Sequence, residues 1–306
     1  MNQVTRREFV AGLSAAALPA AAQRKEDPPT PAKPSHPMIC LASKFLAKLN
    51  YMDLGPVLKD LGFDGCDLAV EPGGHVLPQY AQVDLLRAIE AIRGEGVDVP
   101  MITTSLVSAM DWTARPVLGI AGTMKVQYYQ PGYWQYGPTD NPEASIAQVR
   151  RDLAGLVAIG RAYGMVAGFH NHSGSYVGAA TWDTRAIIGD MDPNWVGYCF
   201  DPGQATAEGG AGGWNVAMRL ALPRLKMAAL ADFYWAKSEG KWKMTMCPMG
   251  QGMVDWPSVF SILAAARFTG PLSLRMEYNP PDELHAMARD LEFVKKQVAA
   301  AYGSAT

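Results

Sequence analysis

The sequence has 306 residues, with 27 Lys and Arg against 29 Asp and Glu, 49% apolar residues, 30 Gly and 22 Pro. A formal charge of −2 speaks against a nucleic-acid partner, because binding by counterion release needs a surplus of basic side chains on one face. Gly and Pro together stay below the level of low-complexity chains, and past the first forty positions no uncharged apolar run of about 18 residues occurs, so no membrane span is expected.

In chain order, Thr5-Arg6-Arg7-Glu8-Phe9-Val10 precedes a short apolar stretch of small residues, Ala11 to Leu18, and then Ala20-Ala21-Ala22. Paired arginines, a short apolar region and a small-residue cleavage pattern resemble a twin-arginine export signal over residues 1–22, which places the mature chain in the periplasm or outside the cell. Residues 23–37 carry Pro28, Pro29, Pro31, Pro34 and Pro37 without apolar periodicity, the pattern of an extended tether. The folded unit is expected from Met38 to the end, residues 38–306. Cys40, Cys66 and Cys199 lie in apolar, strand-like runs whose spacing fits neither a zinc motif nor a disulfide framework, so they are read as small core residues.

From Met38 on, apolar runs alternate with amphipathic stretches eight times. The expected strands are Met38–Ala42, Gly65–Val70, Val99–Thr103, Lys125–Tyr129, Met165–His170, Val196–Asp201, Lys226–Ala231 and Pro271–Glu277. Most are near-continuous apolar runs, as in parallel strands buried on both faces. After Pro142, Ile146, Val149, Leu153, Leu156, Gly160 and Tyr163 recur at helical spacing, and Leu284, Met287, Leu291, Val294 and Val298 repeat the pattern near the end. The connection from Trp112 to Gly122 has the weakest helical pattern. Eight βα units of about 33 residues each predict an α/β fold, a single (β/α)8 TIM barrel. The rival, an open doubly wound sheet, calls for a Gly-rich phosphate turn after its first strand, and Ala42-Ser43-Lys44-Phe45 is not one.

A barrel places its active site at the C-terminal ends of the strands. Those ends carry Asp67, Glu71 and His75 after strand two, Tyr128 to Trp134 around strand four, His170-Asn171-His172 after strand five, Asp201 after strand six, Asp232 to Trp235 after strand seven and Glu277 after strand eight. Three of the five histidines are in this set. A lone Asp after a strand is ordinarily a helix cap and a lone His a hydrogen-bonded structural residue, but recurrence over five strands points to one shared site. Imidazole with two carboxylates suits a divalent ion such as Mn²⁺, Zn²⁺ or Mg²⁺. Tyr129, Trp134 and Trp235 suit stacking on a sugar ring.

The phrases Gly62-Phe63-Asp64-Gly65-Cys66-Asp67-Leu68 with Gly73-Gly74-His75-Val76-Leu77-Pro78, His170-Asn171-His172-Ser173-Gly174, Phe200-Asp201-Pro202-Gly203-Gln204-Ala205, Ala231-Asp232-Phe233, Met249-Gly250-Gln251-Gly252-Met253-Val254-Asp255 and Gly270-Pro271-Leu272-Ser273-Leu274-Arg275-Met276-Glu277-Tyr278 together resemble the sugar phosphate isomerase/epimerase family of xylose isomerase-like barrels. The resemblance covers essentially the whole mature chain. It implies one divalent ion held by a Glu of strand five, an Asp of strand six, a His of strand seven and a Glu of strand eight, the two glutamates moving a proton through an enediolate. Here Asp201 and Glu277 match the strand-six and strand-eight positions. The strand-five Glu falls at His170, and the strand-seven His-x-Lys-Asp reads Ala229-Leu230-Ala231-Asp232. Gln204 stands where many relatives have a substrate-contacting His.

The expectation is an exported sugar isomerase or epimerase acting on an unphosphorylated sugar or glycoside by metal-assisted proton transfer through an enediolate. Glu277 and His170 are the candidate catalytic residues and His170, Asp201 and Glu277 the candidate ligands of an ion bound weakly or not at all. His75, Tyr129, Trp134, His172, Gln204, Trp235 and Arg275 are the candidate substrate contacts. The rival readings are a keto-sugar hydratase or lyase on the same site and a non-catalytic carbohydrate-binding barrel that has lost its strand-seven ligands. A small sugar is the expected partner, and assembly of copies is left open.

Overall fold

The computed structural model describes residues 36–303, so the export signal at 1–22 and nearly all of the tether at 23–37 lie outside the described residues. Strand β1 (Ile39–Ala42) leads through a 3-10 turn at Ser43–Leu46 into helix α1 (Tyr51–Leu61), capped by the Asn50 side chain and ended by Gly62 in the left-handed region. The pattern repeats as β2 (Gly65–Val70) and α2 (Ala81–Gly94), β3 (Asp98–Thr104) and α3 (Ala114–Thr123), β4 (Tyr128–Gln130) and α4 (Pro142–Ala162), β5 (Val166–His170) and α5 (Thr181–Ile188), and β6 (Val196–Phe200) and α6 (Pro202–Ala221). Strand β7 (Leu225–Leu230) is followed by an antiparallel hairpin, β8 (Asp232–Ser238) and β9 (Lys241–Cys247), before α7 (Trp256–Ala265). Strand β10 (Leu272–Leu274) and α8 (Glu283–Tyr302) complete the eighth unit.

Strands β1 to β7 and β10 close into a parallel barrel in the order β1-β10-β7-β6-β5-β4-β3-β2. The single (β/α)8 barrel expected from the sequence is the fold. One large apolar cluster packs the outward strand faces against the helices, and a second, Met101, Cys199, Met227 and Ala229, fills the lumen. All four cysteines are free and buried. Among the described residues no helix is long and apolar enough to cross a membrane.

The structure departs from the expected elements in four places. The weakly patterned third connection forms a regular helix, α3. The fourth strand begins at Tyr128 rather than Lys125, because Lys125 has a φ of 61° and turns the chain after α3. The eighth strand pairs only over Leu272–Leu274, leaving Arg275 to Glu277 beyond it. The hairpin was not foreseen. Its turn is Glu239-Gly240, both with positive φ, as a two-residue hairpin turn requires.

Candidate functional site

Alternation along the strands aims Asp67, Thr103, Gln130, His170, Asp201, Ser273 and Arg275 into the upper lumen, above the apolar cluster. The lowest of these contacts is a carboxylate held by hydroxyls: Asp67 accepts from Ser273 Oγ at 2.6 Å and from Thr103 Oγ1 at 2.8 Å. Burial raises the Asp67 pKa, against the pull of Arg275 and these hydroxyls. Above it Arg275, 4% exposed, crosses the lumen. Its NH1 lies 3.3 Å from His170 Nε2 and 3.4 Å from the Tyr133 hydroxyl, and its NH2 donates to Gln130 Oε1. Its Nε has no partner.

His170 and Asp201 are brought together, with Nε2 3.4 Å from Oδ2 and both residues almost wholly buried. Burial, followed by the charges of Arg275, His172 and Lys44, holds the His170 pKa well below the ordinary imidazole value. Burial pushes Asp201 the other way, up to about 6, against the Gln204 N–H and Arg275. Asp201 Oδ1 also caps α6 by accepting from Gln204 N at 3.0 Å. The Asn171 side chain clamps the Asp201 backbone from both sides, donating to its carbonyl at 3.0 Å and accepting from its N–H at 2.8 Å.

Glu277 stands apart from this pair. It is half-buried and lines a cavity of about 420 Å³ with Lys44, Phe45, Lys48, Met276 and Tyr278. Lys48 is paired with Glu283 at 2.6 Å, whereas among the described residues neither Lys44 nor Glu277 has an ion-pair partner. The expected trio of metal ligands is therefore corrected: among the described residues no group of three His, Cys, Asp or Glu side chains is placed to hold a metal ion. The donor chemistry agrees. The His170 nitrogen that would face an ion faces a guanidinium, and the strand-seven position is Ala229. These residues do not fit a divalent ion.

The candidate substrate contacts divide similarly. His75 is corrected to a structural role, since Nδ1 meets Ser43 Oγ and Nε2 meets the Leu46 carbonyl, each at 3.1 Å. It thereby pins the turn that carries Lys44. Tyr129 faces the helix layer, where a Cβ on Gly160 of α4 would stand 2.9 Å from its ring, so it cannot reach the lumen. Trp134 lies flat on the outward-facing Phe169 at 5.6 Å, also outside the lumen. The aromatic that closes the site is Tyr133, edge-on to His170 at 5.6 Å and to His172 at 5.2 Å. His172 lies at the rim against Tyr176, with Nδ1 on the Ser173 carbonyl. Gln204 spends its carbonyl on Ser173 N and Oγ. Trp235, 41% exposed, pairs across the hairpin with Met244, whose sulfur touches Ser173 Oγ at 3.7 Å, so the hairpin reaches the rim of the mouth. Arg275 lies under the mouth rather than in it, and His170 behind Arg275 and Tyr133.

Lys44, Asp67, Gln130, Tyr133 and Asn171 stand in the strand-end segments of the sequence but carried no assigned role there. Period-two counting back from Glu277, to Arg275 and Ser273, and from His170 across to Gln130 is the signal that finds the lumen set. Asp232, one residue out of that phase, accepts instead from the N–H groups of Phe233, Gly250, Gly252 and Val254 and from Trp256 Nε1, and so folds the loop after β9.

Residues 56–297 match the family model described as xylose isomerase-like TIM barrel. No curated protein matches the chain by sequence. Among solved structures, a 3-keto-D-glucoside 4-epimerase, YcjR, from E. coli superposes with a TM-score of 0.68 at 15% identity, over 85% of this chain and 99% of that one. An L-ribulose 3-epimerase does so with a TM-score of 0.68 at 13% identity, over 87% and 95%. A probable 3-DHS dehydratase, AsbF, from Bacillus anthracis does so with a TM-score of 0.68 at 12% identity, over 84% and 98%. At these identities the likeness is one of fold.

Proposed function

The chain belongs to the xylose isomerase-like TIM barrel family, and from that premise we propose that it is a sugar isomerase or epimerase working by proton transfer next to a carbonyl, without a metal ion. The observation that carries the reading is Glu277, a half-buried carboxylate beyond the end of β10 that lines, together with Lys44 from the turn after the neighbouring β1, an open cavity between those two strand ends. Glu277 takes the proton from the carbon beside the carbonyl, the C–H electron pair forms the enediolate double bond, and the carbonyl π pair moves onto oxygen. The Lys44 ammonium stabilises that oxygen. A proton delivered to the opposite face by solvent water in the open cavity gives the epimer, with Glu277 losing its proton to solvent. Return of the proton from Glu277 to the neighbouring carbon, with the hydroxyl proton passing to the former carbonyl oxygen, gives the isomer. A neutral sugar suits the cavity better than a phosphorylated one: Lys48 is already paired with Glu283, and Glu71 and Glu277 would repel a phosphate from Lys44. An unphosphorylated substrate also accords with the export signal read at residues 1–22.

Two of the fold neighbours are epimerases by name and one a probable dehydratase, and the same base would begin an elimination, so product analysis separates the two outcomes. The test is turnover and solvent-deuterium uptake at the carbon beside the carbonyl, over a panel of aldo-, keto- and 3-keto-sugars. Glu277→Gln is expected to lower both by roughly 10²–10⁴-fold, the worth of a general base, while thermal stability is kept. Exchange that survives Glu277→Gln unchanged would remove Glu277 from the mechanism.

A further inference from the structure

We propose that Arg275 takes the place of the divalent ion: its guanidinium is the fixed cation of this barrel mouth, and while it is present no Mn²⁺, Mg²⁺ or Zn²⁺ is held there. The inference uses the site of the proposed function but not its chemistry.

Four observations converge on it. First, the side chain crosses the lumen. Arg275 follows β10, and its NH2 reaches Gln130 on β4, four places away around the eight-stranded barrel and therefore diametrically opposite. Second, the crossing has room only because the neighbouring strand gives it. β10 pairs with β7 in the register Ser273 with Ala229 and Leu274 with Leu230, and the Arg275 N–H bonds to the Leu230 carbonyl, so Arg275 leaves its strand level with Ala231. A larger lumen-facing side chain at Ala231 would crowd its path. The small residue and the arginine are thus complementary. Third, the guanidinium contacts the nitrogen a metal would need, with NH1 3.3 Å from His170 Nε2. A cation and a metal ion cannot share that lone pair. Fourth, no carboxylate lies within 4 Å of Arg275 among the described residues, and its Nε is unpartnered. A buried charge of this kind persists only where nearby opposite charges compensate it. Asp67 lies in the same lumen, and Glu277 follows two residues on. Arginine suits this task better than lysine, since its planar fork serves Gln130, Tyr133 and His170 at once and stays charged when buried.

The test measures metal occupancy and thermal unfolding of the full chain, with Mn²⁺ as the probe, and needs no turnover. The wild type is expected to bind no stoichiometric Mn²⁺ in equilibrium dialysis and to unfold at the same temperature in Mn²⁺ as in EDTA. A site with Kd near about 10 µM would instead raise Tm by roughly 5–10 °C at about 1 mM Mn²⁺. His170 and Asp201 alone are too few ligands for the ion. The variant is therefore Arg275→Met combined with Ala229→His, which frees His170 Nε2 and supplies a third ligand from β7. A Mn²⁺-dependent rise in Tm is expected to appear in it, and none in Ala229→His with Arg275 kept. If that variant does not fold, Arg275→Gln, which keeps much of the stem without the charge, takes the place of Arg275→Met in the same measurement. One Mn²⁺ per wild-type chain with a matching rise in Tm overturns the proposal, as does a folded double variant that remains indifferent to Mn²⁺. Sugar turnover that requires Mn²⁺ would refute this inference and spare the role of Glu277. A chain that neither turns over sugar nor binds Mn²⁺ would do the reverse.

Discussion

Replacing Asp201 by Asn should make the protein more stable at neutral pH, and the gain should vanish in acid. Burial moves the Asp201 carboxyl from 3.8 up to about 6, a rise that already includes the attraction of Arg275. An acid whose pKa is raised by folding binds its proton more tightly in the native state, so its contribution to stability is intact below about 4 and is lost as pH rises through about 6. Two units at 1.36 kcal/mol each make the ionised carboxylate cost about 3 kcal/mol at pH 7.5, and under about 1 kcal/mol at pH 4. Asparagine keeps the cap on Gln204 N, since Asn and Asp are equally good at the first position of a helix. It carries no charge to bury. His170 works in the opposite sense: its folded pKa is depressed, so it stabilises above the ordinary 6.5 and loses that contribution as pH falls. The assay is urea unfolding of wild type and Asp201→Asn at pH 4, 5, 6 and 7.5. The expected gap grows steadily to about 3 kcal/mol, worth roughly 6–12 °C in Tm. A gap independent of pH, or a variant less stable than wild type at pH 7.5, would show that Asp201 is ionised and favourably paired, and would refute the reasoning.

Asn171→Ala removes both bonds that clamp the Asp201 backbone and is expected to cost about 2–4 kcal/mol, because it also strands a buried N–H and a buried carbonyl; urea unfolding measures it. Tyr129→Phe deletes a buried hydroxyl without a partner, so stability should hold or rise by up to about 1 kcal/mol with turnover unchanged. A loss of activity in that variant would return Tyr129 to the site.

The sequence shows the barrel clearly, because strands buried on both faces are written as apolar runs, and eight such runs at even spacing have few other solutions. The hairpin was legible in principle from Phe233, Trp235, Met244 and Met246 alternating about Glu239-Gly240, but a reading in βα units absorbs those residues into a connection. His170, Asp201 and Glu277 were found because they stand where strands end. Their grouping was not legible, since two residues of phase separate a side chain in the lumen from one at the mouth, and residue type does not reveal depth. The same limit misplaced Tyr129 and Trp134: an aromatic at a strand end looks alike whether it turns to the lumen or to the helices. His75 reads as a substrate contact for want of its partners, Ser43 and Leu46, which lie 32 and 29 residues away.

The phase of the last strand also orders the chemistry by depth. Ser273, Arg275 and Glu277 occupy successive lumen-facing positions, about 6–7 Å apart where the chain is extended, and the Arg275 N–H still bonds to the Leu230 carbonyl of β7. Ser273 belongs to the Asp67 layer, Arg275 to the layer of Gln130 and His170, and Glu277 to the open cavity with Lys44. Charge alternates along this axis, from the carboxylate of Asp67 to the guanidinium and then to Glu277. His170 and Asp201 flank the middle layer and are sealed above by Tyr133, so a substrate entering from the mouth meets Glu277 and Lys44 first and has no direct path to the imidazole. Under the role proposed for Glu277, the buried layers set the field at the mouth and the reacting bonds would lie above Arg275. A change in Glu277 or Lys44 should alter chemistry at nearly constant stability, while changes in Asp67, Asp201 or Asn171 should register first in stability.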